Sequence, residues 1–340
     1  MKPARISPGI VECHSYPDHI PDYAEHELAR LHAGRYSSLP HFEIYGLTEQ
    51  ASTYVARRDA QPTTLLLYHR DGPIVRVLNE GIPLTMNEAQ RFATHIFGSA
   101  QPPAAVLLRA VRMDDAPADA LTQRVECEQD SVLTLPDNKD NYLNSLGSCT
   151  RSLLKNRFNK IRREHPSFEF HVAEKDHVDP QHVRTILALH RARSSRWRHA
   201  MQLDAGEETR VMRMVARCGM VGVASIGGRC CGGSICYRNG DVVSARFLAH
   251  DPAYDLYRLG FLCAYLMCAA CIETHEIRQF NFGWGKEAYK FRLGGQPRTL
   301  SDVLIYRSQI QRLRLAPLGL QLLGRGWQFQ LRRLKSFLRA

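Results

Sequence analysis

Three strand-like runs joined by two glycine turns limit the possible folds of this chain more than any other feature. The stretch is MVGVASIGGRCCGGSICYRNGDVVSARFLAHDP, residues 220–252. Gly227-Gly228 and Asn239-Gly240 separate the runs, and Asn-Gly between strands is the strongest short signal of a β-hairpin. The apolar run LGFLCAYLMCAACI, residues 259–272, follows and is too short to span a bilayer. The sequence therefore predicts three adjacent strands followed by a buried helix.

Strand-type segments dominate residues 42–135. Runs such as TTLLLYHRDG and PIVRVLNEG are rich in strand-forming residues and end in turn residues, which is typical of strands. One segment, LTMNEAQRFATHIFG, has a helical pattern, with Asn87 as the expected N-cap and Gly98 as the expected stop. No group of residues in this half predicts a catalytic site. Its mixture of strands and a helix is consistent with a diverged repeat of the second half.

Basic helices are predicted after residue 131. In the first of them apolar residues recur at helical spacing, and the remaining positions hold Arg151, Lys155, Arg157, Lys160, Arg162 and Arg163. A second predicted basic helix places His190, Arg193 and Trp197 on one face. The whole chain has 45 basic and 34 acidic residues, a formal net charge of +11. This charge favours anionic partners such as nucleic acid, coenzyme phosphates, nucleotide-sugars or anionic lipid.

The cysteines and the N-terminal residues bear on the cellular compartment. The ten cysteines show no disulfide framework, and Cys268-x-x-Cys271 lies inside the apolar run without a second pair to complete a zinc site. We therefore expect core cysteines in a reduced compartment and no metal. Prolines and acids occupy the region where an export signal needs an apolar run. The expected location is cytoplasmic, with peripheral contact at the inner membrane face as an additional expectation.

A block near residue 280 carries the most distinctive pattern of the chain. It reads F-N-F-G-x-G-x-E-x-Y-K and runs from Phe280 to Lys290. Upstream lie the basic pattern Arg151-x-x-x-Lys155-x-Arg157, the hairpin strands, and a loop that ends at Gly260 where the apolar helix begins. Taken in this order, these features resemble GNAT-type acyltransferases of the CelD/BcsL cellulose-biosynthesis type, relatives of the FemAB peptidyltransferases. The resemblance covers about residues 130–296.

The resemblance implies an α+β fold with a mixed sheet of the GNAT-like acyl-CoA N-acyltransferase type, in two tandem domains. The expected division is an N-terminal extension at 1–40, a degenerate GNAT-like domain at 41–130, a GNAT-like acyltransferase domain at 131–300 and a basic tail at 301–340. The central strands of such a sheet splay apart and hold acyl-coenzyme A. Free N–H groups at the start of the following helix suit the coenzyme pyrophosphate.

Within this frame the candidate site residues have separate expected roles. His250, at a strand end, is the expected general base, and Asp251 is expected to fix the following turn or to pair with His250. Tyr289 is expected to donate to the leaving thiolate or oxyanion, and Glu287 to orient the acceptor amine. The expected donor-binding residues are Arg258, Leu259, Gly260 and Phe261. The expected substrate-binding residues are Lys290, Arg151, Lys155, Trp197 and Trp284. A tight turn with Glu287 paired to Lys290 is the alternative for this block.

Acyl transfer from acyl-CoA to an amine of a sugar, an amino acid or an envelope, polysaccharide or lipid precursor is the leading functional expectation. A FemAB-like transferase fed by aminoacyl-tRNA is one alternative, and a non-enzymatic nucleic-acid-binding protein is another. The segment after Asp302 contains no acidic residue and ends in GWQFQLRRLKSFLRA. This amphipathic basic pattern predicts either peripheral membrane contact or docking on the protein's own core.

Overall fold

The computed structural model describes residues 11–114, 117, 119–194 and 206–337. Their strands are β1 (Val11–Tyr16), β2 (Ser52–Arg58), β3 (Gln61–Asp71), β4 (Ile74–Val77), β5 (Pro83–Leu84), β6 (Ala105–Met113), β7 (Thr122–Thr134), β8 (Glu169–Glu174), β9 (Gly219–Ile226), β10 (Arg229–Asn239), β11 (Val242–His250), β12 (Gln279–Trp284) and β13 (Gln296–Tyr306). Their α-helices are α1 (Ala24–Leu31), α2 (Leu39–Ile44), α3 (Met86–Phe97), α4 (Lys139–Ser145), α5 (Ser148–Glu164), α6 (Pro180–Ser194), α7 (Glu207–Cys218), α8 (Leu259–Glu273), α9 (Ala288–Arg292), α10 (Gln309–Arg314) and α11 (Ala316–Phe337). Short 3₁₀ helices span Arg35–Ser37, Lys175–His177 and Pro252–Tyr257.

The chain divides into two compact units. The first unit contains Met1–Glu128 and Thr299–Ala340, and the second contains Gln129–Arg298. In the first unit the strand order is β1-β2-β3-β4-β6-β13. Neighbours in this order are antiparallel except β4 and β6, which are parallel.

Helix α3 follows the short strand β5 in the first unit, as the helical pattern predicts. Its N-cap is Thr85 rather than the expected Asn87. The Thr85 hydroxyl accepts from the Glu88 N–H, and the Glu88 carboxylate accepts from the Thr85 N–H, which forms a capping box. This reciprocal pair satisfies two helix-start donors, so the helix begins one residue before Asn87.

Residues 299–337 belong to the first unit, as the docking alternative for the basic tail predicts. Strand β13 pairs with β6, and Leu304 is completely buried in the sheet. Leu322 and Phe329 of α11 are also buried. The basic residues of this segment therefore alternate with apolar side chains that the first unit requires for its core.

The second unit is a six-stranded mixed sheet with the order β7-β12-β11-β10-β9-β8. Strands β8 to β11 form an antiparallel meander, β11 and β12 are parallel, and β12 is antiparallel to β7. Both predicted hairpin turns are present, and Gly227, Gly228 and Gly240 have positive φ angles there.

Helices α6 and α8 cover opposite faces of this sheet. A side chain at Gly222 would collide with Phe170 and approach the sulfur of Met267 in α8, whereas one at Gly233 would collide with Ile186 in α6. These two glycines therefore allow the helices to lie close to the sheet. Helix α8 is the predicted core helix, and its Cys263, Cys268 and Cys271 are all buried as free thiols. No helix in the described ranges is long and apolar enough to cross a bilayer.

Candidate functional site

Strands β11 and β12 separate soon after they meet. They pair at three positions, Val242 with Gln279 through Ser244 with Asn281. Beyond these positions the described residues show no further pairing between the two strands, although β11 continues to His250. Strand β12 instead continues along β7. The space that opens between β11 and β12 is called the wedge below.

A β-bulge in β11 lies at the opening of the wedge. Cys236 of β10 pairs with Ala245 and Ile235 pairs with Phe247, so Arg246 has no opposite residue. Bulges bend a strand and redirect its peptide groups. The Arg246 guanidinium lies 2.8 Å from the buried carboxylate of Glu207, which holds the bulge against the start of α7.

His250 ends β11 and is tied to the loop that follows. Its Nε2 lies 2.7 Å from Oδ1 of Asp255. Its Nδ1 is buried and has no hydrogen-bond partner among the described residues. A Cβ at Gly260 would lie 2.8 Å from this nitrogen, so Gly260 leaves room for the imidazole. Asp251 fixes the turn by accepting from the Ala253 N–H at 3.0 Å, as expected, and the partner of His250 is Asp255.

Helix α8 begins directly under His250. Arg258 adopts a left-handed conformation at the N-cap, with φ of 53°, and provides no side-chain cap. Its carbonyl accepts from the N–H groups of Phe261 and Leu262, whereas the described residues provide no acceptor for the N–H groups of Leu259 and Gly260. Leu259 is fully buried and Gly260 is buried as well, whereas Arg258 beside them is exposed. Unpaired N–H groups at a helix start form an anion-binding site.

The three basic residues of the Arg151-Lys155-Arg157 pattern on α5 have different contacts. Arg151 donates to the carbonyls of Asn144 and Leu146 and thereby closes the end of α4. Arg157 donates to the Leu256 carbonyl at 3.0 Å and holds the loop before α8. Lys155 is exposed.

Arg151 and Lys155 both line a cavity of about 550 Å³ between α4, α5 and α8. The other lining residues are mainly apolar: Leu143, Leu154, Phe158, Leu262, Tyr265, Leu266 and Ala269. This lining contains neither His250 nor Tyr289. The structure therefore brings Arg151 and Lys155 together at a cavity whose walls are helices, not at the wedge.

Lys290 is buried and stabilises the turn after β12. Its Nζ donates to the carbonyls of Gly283 at 3.1 Å and Trp284 at 2.6 Å, and it lies 2.8 Å from the Glu287 carboxylate. These contacts use the three donors of an ammonium group. The alternative expected from the sequence, a tight turn with Glu287 paired to Lys290, is therefore present. The burial of Lys290 favours a structural role over the substrate contact predicted for it.

A chain of hydrogen bonds extends from this turn to the start of β13. Arg298 donates twice to the buried carboxylate of Asp130, at 3.0 and 2.6 Å. Asp130 also accepts from the Asn281 amide at 3.0 Å, and the Asn281 oxygen accepts from the Gly283 N–H at 2.8 Å. Sequence reasoning missed these three residues. The asparagine in F-N-F-G was the available signal, because Asn side chains commonly bond to a backbone group two residues on.

Tyr289 is half-buried and packs its ring against Phe282, at 6.2 Å between centroids. Burial is the main cause that raises its pKa far above that of an ordinary tyrosine, and the nearby Glu287 carboxylate adds to the increase. The hydroxyl has no hydrogen-bond partner among the described residues. Tyr289 therefore remains a neutral O–H donor throughout the physiological pH range.

His190 on α6 lies against β11 beside the bulge. Its ring is 5.1 Å from that of Phe247. Burial lowers its pKa, and the positive charges of Arg246, Arg193 and Arg191 lower it further. A neutral imidazole at this position can accept a proton. Trp197, predicted on the same helical face, lies outside the described residues, and Trp284 is half-buried at the end of β12.

Comparisons with known proteins agree with this architecture. Residues 148–291 match the family model described as an acetyltransferase (GNAT) domain. Among solved structures, FemX is 11% identical with a TM-score of 0.65, covering 89% of this chain and 99% of its own. L-PGS from Bacillus licheniformis is 13% identical with a TM-score of 0.53, covering 92% and 99%. No curated protein matches the chain.

A third solved structure is the C-terminal domain of a putative lysylphosphatidylglycerol synthetase from Agrobacterium fabrum. It is 10% identical with a TM-score of 0.53, covering 86% of this chain and 93% of its own. At these identities the likeness concerns the fold. The predicted mixed α/β sheet with a GNAT-like fold is confirmed.

Replacing Lys290 by Met should destabilise the protein because the carbonyls of Gly283 and Trp284 lose their donor. We expect a loss on the order of 2–4 kcal/mol in the free energy of unfolding, measured by urea denaturation. Lys155→Met is the matched control, since this lysine is exposed, and it should change stability by less than about 0.5 kcal/mol. Equal effects of the two substitutions would contradict the structural role of Lys290.

Proposed function

We propose that this chain is an N-acyltransferase that moves an acyl group from acyl-coenzyme A to a primary amine. The observation that carries the proposal is the early separation of β11 and β12 beside a helix whose first N–H groups are unpaired. Such a wedge offers peptide groups to the amides of an extended pantetheine arm. The helix start offers donors to the coenzyme phosphates at the end of that arm.

The proposed phosphate site consists of the N–H groups of Leu259 and Gly260, with the charge of Arg258 beside them. Phe261 lies in the first turn of α8 and packs on the hydrophobic core of the second unit. His250 touches Gly260 and bonds to Asp255, so it lies at the phosphate end of the wedge. We therefore assign His250 the role of a positioning residue that fixes the donor-binding loop, rather than that of the general base expected from the sequence.

The reaction forms a C–N bond and breaks a C–S bond. The amine attacks the thioester carbonyl, the tetrahedral oxyanion collapses, and the thiolate leaves. The nitrogen loses one proton and the coenzyme sulfur gains one, so the reaction balances without another reactant. We assign proton acceptance to His190 and hydrogen-bond donation to the departing sulfur to Tyr289.

The exposure and the pairing of each side chain decide the roles of the other residues that the sequence predicted to contact the substrate. Lys155 is exposed at the cavity between α4, α5 and α8, and it would contact an anionic part of the acceptor. Glu287 is paired with Lys290, so its contribution is to the shape of the wedge wall. The acceptor class remains the amine of a sugar, an amino acid or an envelope, polysaccharide or lipid precursor.

A transferase fed by aminoacyl-tRNA is the second candidate. The fold likeness to FemX, with a TM-score of 0.65 over 89% of the chain, favours it together with the net charge of +11. A charged tRNA would place an ester, not a thioester, at the wedge. Ribonuclease treatment should abolish activity under this candidate and leave it unchanged under acyl-coenzyme A transfer.

Tyr289→Phe should lower kcat for acyl transfer by roughly 10²-fold, because it removes one hydroxyl and retains the half-buried ring. The measurement incubates the protein with acyl-coenzyme A and a panel of primary amines. Released coenzyme A is quantified by chromatography, since the exposed Cys149 would react with thiol reagents. Tyr68→Phe is the matched control; this ring packs against Phe92 in the first unit at 5.6 Å, and loss of its hydroxyl should leave kcat unchanged. An unchanged rate in Tyr289→Phe would remove this residue from the mechanism.

Gly260→Ala should weaken coenzyme A binding roughly tenfold, equivalent to about one lost hydrogen bond. The new methyl would lie 2.8 Å from His250 Nδ1 and displace the imidazole from the helix start. Calorimetric titration of coenzyme A measures the effect. Gly147→Ala is the control, because no heavy atom lies within 4 Å of the added methyl. Equal affinities in both variants would place the phosphates elsewhere.

The pH dependence of kcat/KM should reflect the lowered pKa of His190. A general base acts in its deprotonated form, so activity is lost as pH falls through the pKa of the folded protein. Because burial and three arginines lower this pKa, the acid limb should lie below about 6.5, the ordinary histidine value. In His190→Gln the rate should fall and this limb should disappear. An acid limb at or above neutral pH in the unmodified protein would exclude His190 as the base.

A further inference from the structure

Helix α11 is apolar on two opposite sides. One side packs on the first unit: Leu322 is buried with Leu107 and Leu304, and Phe329 is buried further along the helix. This inner side accounts for the docking on the protein's own core that the sequence offered as one possibility. It does not account for the apolar residues on the other side.

The other side forms a continuous exposed row. Leu320, Leu323, Trp327, Leu331 and Leu334 are spaced by three or four residues, which places them on one helix face. Ile310 and Leu313 of α10 are exposed as well. These seven residues, called the outer stripe, are between 43% and 77% exposed. The described residues contain nine exposed large hydrophobic side chains, and seven of them belong to the outer stripe.

A stripe of this kind differs from the single apolar residues common on protein surfaces. Contiguous exposed apolar groups mark a surface that another partner covers. In a water-soluble helix the side that faces solvent is usually polar, which the outer stripe is not. The outer stripe therefore requires an occupant, and the charges around it identify the kind.

The surroundings of the outer stripe are strongly basic. Residues 303–340 contain no acidic residue and eight basic ones. Arg325, Arg332 and Arg333 face Asp302, Glu128 and Glu126 of the first unit. Arg307 and Arg312 donate to the backbone carbonyls of Pro102 and Ala120 and form no ion pair with any described residue, and Arg314 is exposed. The positive charge is thus concentrated beside Ile310 and Leu313.

This charge selects between a second copy of the chain and a lipid surface. Two copies joined through their outer stripes would bring like charges together, which costs free energy. An anionic bilayer would neutralise the same charges while its interface buries the apolar residues. Trp327, in the middle of the row, has the amphipathic ring that prefers such an interface. We propose that the outer stripe of α10 and α11 docks the protein on an anionic lipid surface.

Vesicle flotation with the full chain tests this proposal. Vesicles of phosphatidylglycerol and phosphatidylcholine should bind at least about tenfold more tightly than vesicles of phosphatidylcholine alone. The double variant Leu323→Gln, Leu331→Gln should lose about tenfold or more of this binding, because affinity scales with buried apolar area. Gln328→Ala, an exposed change on the same helix outside the row, should bind like the unmodified chain.

Tryptophan emission gives a second measurement that does not depend on separation. Anionic vesicles should shift the emission to shorter wavelength, and Trp327→Phe should abolish the shift. Equal binding to both vesicle types, full binding by the double variant, or a shift that survives in Trp327→Phe would overturn the proposal. A concentration-dependent dimer that the double variant abolishes, without vesicle binding, would also overturn it and assign the outer stripe to a second copy.

Discussion

The cleft of the second unit depends on the buried hydrogen-bond chain from Arg298 through Asp130 and Asn281 to Gly283. Asp130 lies on β7, so the chain holds the end of β12 against β7 instead of β11. The wedge therefore forms because β12 keeps β7 as its neighbour beyond Asn281, whereas its pairing with β11 ends there. A carboxylate that is almost fully buried must be paired to be tolerated, and both hydrogen bonds from Arg298 meet that requirement.

The block from Phe280 to Lys290 is mainly architectural in this light. Its asparagine and its lysine anchor the turn through hydrogen bonds to backbone groups. Its positive-φ glycines allow the backbone to pass close to other groups. Gly285, for example, has a φ of 101° and lies under the Glu287 carboxylate. Tyr289 is the one residue of the block that combines a half-buried ring with a hydroxyl lacking a partner among the described residues. A motif can thus identify a site although most of its members only hold the wall on which one chemical group is placed.

Local patterns were sufficient for much of the fold and for less of the site. The glycine turns predict the hairpins because turn chemistry depends on adjacent residues, and the apolar run predicts α8. The pairing of His250 with Asp255 depends on the path of the loop between them. The pairing of Asp130 with Arg298 joins residues that are 168 positions apart in the sequence. The packing of the C-terminal helix could not be predicted from the sequence either, because both of its sides are apolar and the sequence does not show which side the first unit covers.

The contacts of the basic residues connect the net positive charge of the sequence with the two proposed anionic partners, coenzyme A and an anionic lipid surface. A hydrogen bond from an arginine to a carbonyl satisfies the donor but does not cancel the charge, unlike a salt bridge. Arg151 and Arg157 on α5 use carbonyls in this way, as do Arg307 and Arg312 near α10. Positive charge therefore survives folding in both units, beside the donor-binding loop in the second and beside the outer stripe in the first. High salt should consequently weaken coenzyme A binding and vesicle binding alike, since both use charges that the protein itself does not neutralise.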